Sequence, residues 1–191
     1  MTGKRADELP PPSRPDATVR ALVTELGERV GAETAAGWCA DLLSGADPHD
    51  YVAMLDYLGS NCGRAAFDPS WYDYWVRTWG ARGLLYVWAD SAASTVVQGL
   101  GDEHWRPAEM CLKVSSLREL AEAGVPAVSL TEHELPRVRA NAVRTLGLVG
   151  DTEHVETVES ALDDEDPLVR RAADLAMRRL NARLDLPGRS P

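Results

Sequence analysis

The chain matches itself. RGLLYVWADSAASTVVQGLGDE, from Arg82, aligns without a gap on RTLGLVGDTEHVETVESALDDE, from Arg144. Arg82 meets Arg144, Leu84 meets Leu146, Val87 meets Val149, Val96 meets Val158, Leu100 meets Leu162, and Asp102-Glu103 meets Asp164-Glu165. The offset is 62 residues, and half of it recurs: Val138-Arg139 and Val169-Arg170 stand 31 apart, with Val76-Arg77 another 62 upstream. The slot between, Pro107-Ala108, lacks the Val-Arg pair. Four units therefore begin near Trp75, Arg106, Arg137 and Leu168. A period of this length is that of a stacked supersecondary unit, because one unit alone cannot bury its apolar face.

Each unit reads as two helices. In PRVRANAVRTLGLVGD the apolar Val138, Ala142, Val143 and Leu146 recur at helical spacing. Gly147 and Gly150 fall where left-handed C-caps are expected, and Asp151 or Thr152 is placed to cap the next helix. That helix carries Val155, Val158 and Leu162 on one face. A proline in the first turn opens the last unit, EDPLVRRAADLAMRRL.

These motifs taken together, an acid-Pro opening, Val-Arg, small residues along the first helix, Leu-Gly, then Gly-Asp before the second helix, resemble HEAT repeats. The likeness is to the short HEAT-like type also seen in phycobilisome lyases, and it covers roughly Trp71 to Leu184. It implies an all-α protein, an α-solenoid of HEAT-like helical hairpins in an armadillo-type superhelix, with second helices on the concave surface. TVRALVTELGERVG, AETAAGWCADLLSG and PHDYVAMLDYLG also show helical apolar faces, Asp47-Pro48 marking a helix start and 61–70 a loop. The expected organisation is a disordered tail over 1–15, an N-terminal helical cap or divergent repeats over 16–70, HEAT-like repeats over 71–184 and a C-terminal tail over 185–191.

Composition narrows the function classes. Apolar residues at 45% and charged residues at 26% suit a folded domain. No run approaches the roughly 18 apolar residues of a membrane span, and MTGKRADELPPPSRPD has no apolar core to make a secretory signal. A cytoplasmic location follows as an expectation. Cys39, Cys62 and Cys111 lack metal-ligand spacing and read as small buried hydrophobes. The net charge of −10 repels phosphate backbones, so nucleic acid is disfavoured and cationic partners are favoured. Eight acids lie between Asp151 and Asp166 with no Lys or Arg.

The expected function is a non-catalytic protein-binding or adaptor module using the concave face, without cofactor or metal. Glu156, Glu159 and Asp163, spaced along a second helix, are the candidate surface for a cationic segment of a protein partner. Arg170, Arg171, Arg178 and Arg179 are expected to pair with acids of neighbouring repeats. Trp71, Trp75 and Trp79 stand four apart, which puts three indoles on one helix face as a packing seam or an aromatic groove. The alternative is a HEAT-like enzyme. HEAT-like DNA glycosylases use Trp, Asp and Arg in a concave cleft, but this chain resembles them only in architecture. His133-Glu134 resembles the His-Glu pairs of the diiron enzyme deoxyhypusine hydroxylase. Here the pair occurs once, in an inter-repeat turn, and the equivalent positions are Asp102-Glu103 and Asp164-Glu165.

Overall fold

A computed structural model describes residues 6–185. Among the described residues every regular element is helical. They fall into two compact units that divide between Met110 and Cys111.

The first unit opens with α1 (Val19–Val30) and α2 (Ala32–Leu43). Thr18 caps α1 by accepting from the Ala21 N–H at 3.3 Å. Gly31 separates the helices at φ 91°, a conformation open to glycine. Leu22, Leu26 and Leu42 are fully buried, each contributing about 1.5–3 kcal/mol of apolar transfer. A 3-10 turn over Pro48–Tyr51, capped by Asp47, leads into α3 (Val52–Leu55), and α4 (Cys62–Ala65) interrupts the expected loop. α5 (Tyr74–Gly83) packs on α2. Gly80 makes that contact possible: a Cβ there would lie 2.5 Å from the Cys39 carbonyl oxygen and 2.8 Å from the Leu43 nitrogen. A 3-10 turn over Asp90–Ala92 and α6 (Ala93–Gln98) complete the hairpin.

α7 (Trp105–Arg118) begins in this unit and ends in the next. The second unit continues with α8 (Gly124–Leu130), α9 (Pro136–Val149), α10 (Val155–Ser160) and α11 (Pro167–Leu184). α9 packs against α8 and α11, and α10 lies against α11. α5, α7, α9 and α11 start at Tyr74, Trp105, Pro136 and Pro167, each 31 residues after the last. The second helices are entered through 3-10 turns starting at Asp90, Ala121 and Thr152, again 31 apart. Each unit is thus built of packed helical hairpins, the construction of an α-solenoid.

Three local expectations are corrected. Gly147 is not a left-handed cap but a buried residue inside α9, where a Cβ would lie 2.6 Å from both Cα and Cβ of Ala176 in α11. Gly150 does end α9, yet in extended conformation at φ −65°; a Cβ there would collide with the Leu146 carbonyl oxygen. Both glycines answer to close approach rather than to positive φ. Part of the predicted N-terminal tail is also placed: Ala6 is buried, its carbonyl accepts from Met54 N–H at 3.1 Å, and the Pro10 carbonyl accepts from the Tyr57 hydroxyl at 2.8 Å. Ser13 donates to Glu25 from its backbone and its hydroxyl. Those two bonds, with Arg29, hold the Glu25 carboxyl down to about 2. Prolines limit a segment's helicity, not its ability to lie on a surface. Residues 1–5 and, in the expected C-terminal tail, 186–191 lie outside the described residues.

α11 departs from its neighbour in an informative way. Ala140, Val143 and Gly147 are buried in α9, whereas the equivalent Arg171, Asp174 and Arg178 are exposed in α11. Arg178 pairs with Asp174 at 2.8 Å within the helix rather than with a neighbouring repeat. These exposed polar positions share α11 with two exposed leucines, Leu168 and Leu175.

Candidate functional site

Two concavities carry the residues singled out from sequence. The first is in the second unit. A groove of about 380 Å³ runs between α8 and α10, lined by Val128, Thr131, Glu132, Glu153, Glu156 and Asp164 among others. Of the acidic triad, Glu156 lines this groove. Glu159 is half-buried and Asp163 is exposed in the 3-10 turn Ala161–Asp163, and neither reaches it. Glu132 and Glu153 take their place.

Asp164 belongs to a different device. Arg139, nearly buried, donates from Nε and Nη2 to the two Asp164 oxygens at 2.8 and 2.9 Å. Its Nη1 donates to the carbonyls of His133 and Glu134 at 3.0 and 3.1 Å. The Arg139 hydrogen bond, against the opposing effect of burial, holds the Asp164 carboxyl below its ordinary value. Arg170 repeats the carbonyl contacts one unit on, donating to Asp164 and Glu165 carbonyls at 2.7 and 2.8 Å. The arginines of α11 therefore leave the groove carboxylates alone. Among the described residues neither Glu132 nor Glu156 has an ion-pair partner, and Glu153 approaches only His154, at 3.9 Å.

The His133-Glu134 pair lies in the turn before α9. His133 Nδ1 accepts from the Leu135 N–H at 3.0 Å, starting α9. Among the described residues no group of three metal-ligating side chains comes together.

The second concavity lies in the first unit. α5 begins only at Tyr74, so Trp71 sits outside the helix that carries Trp75 and Trp79. Its ring nevertheless joins theirs, at 5.6 and 5.9 Å between centroids. Trp79 is buried and Trp71 is 44% exposed, so the cluster runs from core to solvent. The three line a cavity of about 420 Å³ with Thr18, Ser60, Cys62 and Arg82. Burial pushes the Cys62 thiol up to about 11 and the Cys39 thiol to about 12, so neither supplies a thiolate near neutral pH. Beside the cluster, Arg106 lies over Trp75 and Trp105 at 5.8 and 5.2 Å and pairs with the buried Glu109 at 2.9 Å.

The family comparison bears on the second unit. HEAT repeats match residues 125–187, from α8 through α11. This segment carries HEAT repeats. No curated protein matches it. HEAT repeats commonly serve protein interaction, and no helix among the described residues is long and apolar enough to cross a membrane.

What sequence reasoning missed is the clamp. Arg139–Asp164 has a counterpart 62 residues earlier, Arg77–Asp102, with Nε and Nη2 contacts of 2.7 and 3.1 Å. The signal is a recurring Arg-to-Asp separation of 25 residues, which gains meaning only once the chain is folded into a hairpin. Glu132 escapes a reading along one continuous acidic stretch, because the groove draws on two successive repeats.

Proposed function

We propose that this HEAT-repeat protein is a protein-binding module without catalysis, and that the groove between α8 and α10 receives a Lys- or Arg-bearing segment of its partner. The observation that carries this reading is the presence of three carboxylates, Glu132, Glu153 and Glu156, in one groove with no Lys or Arg paired to them. Like charges gathered in one groove disfavour the folded state. A cationic segment relieves that repulsion and associates at a salt-dependent rate. The position of the groove on second helices of the repeats supports a binding surface. A cytoplasmic setting suits three buried, unbridged cysteines.

The test is titration with a peptide rich in Lys and Arg across a salt series. Glu132→Gln/Glu153→Gln/Glu156→Gln should weaken binding about tenfold at low salt and flatten the salt dependence. Glu159→Gln/Asp163→Asn should do less, because those side chains do not line the groove. Equal binding by wild type and the first variant would refute the assignment.

A further inference from the structure

The first unit holds a cation with no counter-charge. Arg82, half-buried in the penultimate position of α5, lines the Trp71/Trp75/Trp79 cavity. Both of its hydrogen bonds use Nη2, to the Leu58 carbonyl and to Cys62 Sγ at 3.7 Å. Nε is buried and has no partner. Among the described residues no carboxylate pairs with this guanidinium, although the chain has 30 acids against 20 bases. Its repeat counterpart Arg144 also lacks a carboxylate among the described residues and donates to Asn141 Oδ1 at 3.0 Å, whereas Arg77 and Arg139, at another position of the repeat, each receive a two-oxygen carboxylate contact. A guanidinium presents five donors, and it matches a carboxylate with two parallel bonds. Leaving it unmatched beside an apolar wall is costly, because charge is poorly solvated there.

The wall is aromatic. Trp75 and Trp79 are stacked at 6.5 Å between centroids, and Trp71 closes the outer side. At about 420 Å³ the space falls within the range of small-ligand sites, roughly 300–1,000 Å³. Apolar walls also strengthen an ion pair formed between them.

We infer that this cavity is a binding site for a carboxylate carried on an aromatic or apolar body, the carboxylate meeting Arg82 and the body lying against Trp71, Trp75 and Trp79. The site is separate from the acidic groove, and neither assignment depends on the other. Cys62 contributes shape and a weak sulfur acceptor, not a nucleophile.

Phenylacetate is a suitable probe, with phenylacetamide as its uncharged isostere. Two further probes are a short peptide ending in a free C-terminal phenylalanine and the same peptide amidated. Binding is followed by the indole N–H resonances of the full chain. Saturable binding of phenylacetate, at least about tenfold tighter than of phenylacetamide, is expected. If only the free-ended peptide binds, and its amide does not, the carboxylate comes from a protein terminus and the assigned chemistry stands. Trp71→Ala removes a half-exposed ring outside any helix and should weaken the acid about tenfold while leaving the circular dichroism unchanged. Arg82→Gln should abolish the preference for acid over amide, and Arg82→Lys should keep part of it. Equal affinity for acid and amide, or no saturable binding of either free-carboxylate probe, overturns the site.

Discussion

Two stretches 62 residues apart carry the same ion pair in different surroundings. Arg77–Asp102 and Arg139–Asp164 share the two-oxygen geometry, and each has an outlying glutamate, Glu103 at 3.4 Å and Glu165 at 3.7 Å. In both, the aspartate also accepts from the backbone two residues on, His104 N–H at 2.9 Å and Asp166 N–H at 2.8 Å. The remaining arginine nitrogen separates them. In the second unit Arg139 Nη1 ties down two carbonyls of the preceding turn; in the first, Arg77 Nη1 reaches only the exposed Asp73, at 3.4 Å. Before α5 the turn is aromatic, with Tyr72 and Tyr74 stacked at 5.5 Å and Tyr74 stacked on His104 at 3.4 Å. One repeat fixes its entry turn by hydrogen bonds to the backbone, the other by ring stacking. In the intermediate slot Ala108 stands in place of the arginine and His133 in place of the aspartate. Both partners are missing together, which avoids leaving one buried charge alone, the costly outcome.

The largest expected effect separates the two clamps. Arg139→Met strips Asp164 of its partner and frees two carbonyls, and should cost about 3 kcal/mol or more. Arg77→Met leaves no carbonyls behind and should cost less, about 2 kcal/mol. Denaturant titration gives both values. All six tryptophans lie between Trp38 and Trp105, so their fluorescence reports the Arg77 region while circular dichroism reports the whole. A larger loss for Arg77→Met would show that the backbone bonds of Arg139 are not what distinguishes the pair.

Helix contact gives the next effect. Gly80→Ala drives a methyl into the backbone of α2, and Gly147→Ala drives one into Ala176. Each should cost about 1–3 kcal/mol, with Gly80 the more severe because the groups it meets are backbone. Gly101→Ala meets nothing within 4 Å and should be close to neutral. If the three variants have the same midpoint of unfolding, the close approaches are not real constraints.

Most of the architecture is legible in the sequence because stacking forces periodicity. The 31-residue spacing locates the first helices to within one residue, at Tyr74, Trp105, Pro136 and Pro167 against expected starts near Trp75, Arg106, Arg137 and Leu168. The site is less legible, for two reasons. A groove between repeats mixes residues distant in sequence, so the acidic stretch points to Glu156 but not to Glu132, and helical spacing alone brings in Glu159 and Asp163. Close helix packing and a left-handed cap also leave the same mark, a glycine near a helix end, as at Gly147 and Gly150. Trp71 shows the reverse: the four-residue spacing suggests one helix face, the helix starts three residues later, and the rings meet all the same.

The smallest effect concerns pH and sharpens the contrast between stacking and hydrogen bonding. Burial is the main cause that lowers the His104 pKa, with Arg77 and Arg106 adding to it and Asp102 and Asp73 opposing. His104 Nδ1 must stay unprotonated to accept from the Arg106 N–H at 3.2 Å, the bond that starts α7. A depressed histidine pKa means that the unfolded chain takes up the proton first, so stability falls as pH drops below the ordinary value of 6.5 and levels off once the folded pKa is passed. Asp166 fills the equivalent place in the second unit, accepting from the Leu168 N–H at 2.8 Å without needing a neutral ring. The clamp beside it depends on Asp164, whose lowered pKa keeps its contribution intact above the ordinary 3.8 and loses it only as pH falls through the depressed value. Amide exchange across α5 and the start of α7 should therefore quicken between pH 7 and pH 5, relative to the start of α11, once intrinsic rates are divided out. His104→Asn keeps a capping acceptor that does not titrate and should remove that difference. If exchange at the two helix starts follows the same pH dependence in wild type, His104 is not the group that distinguishes the two repeats.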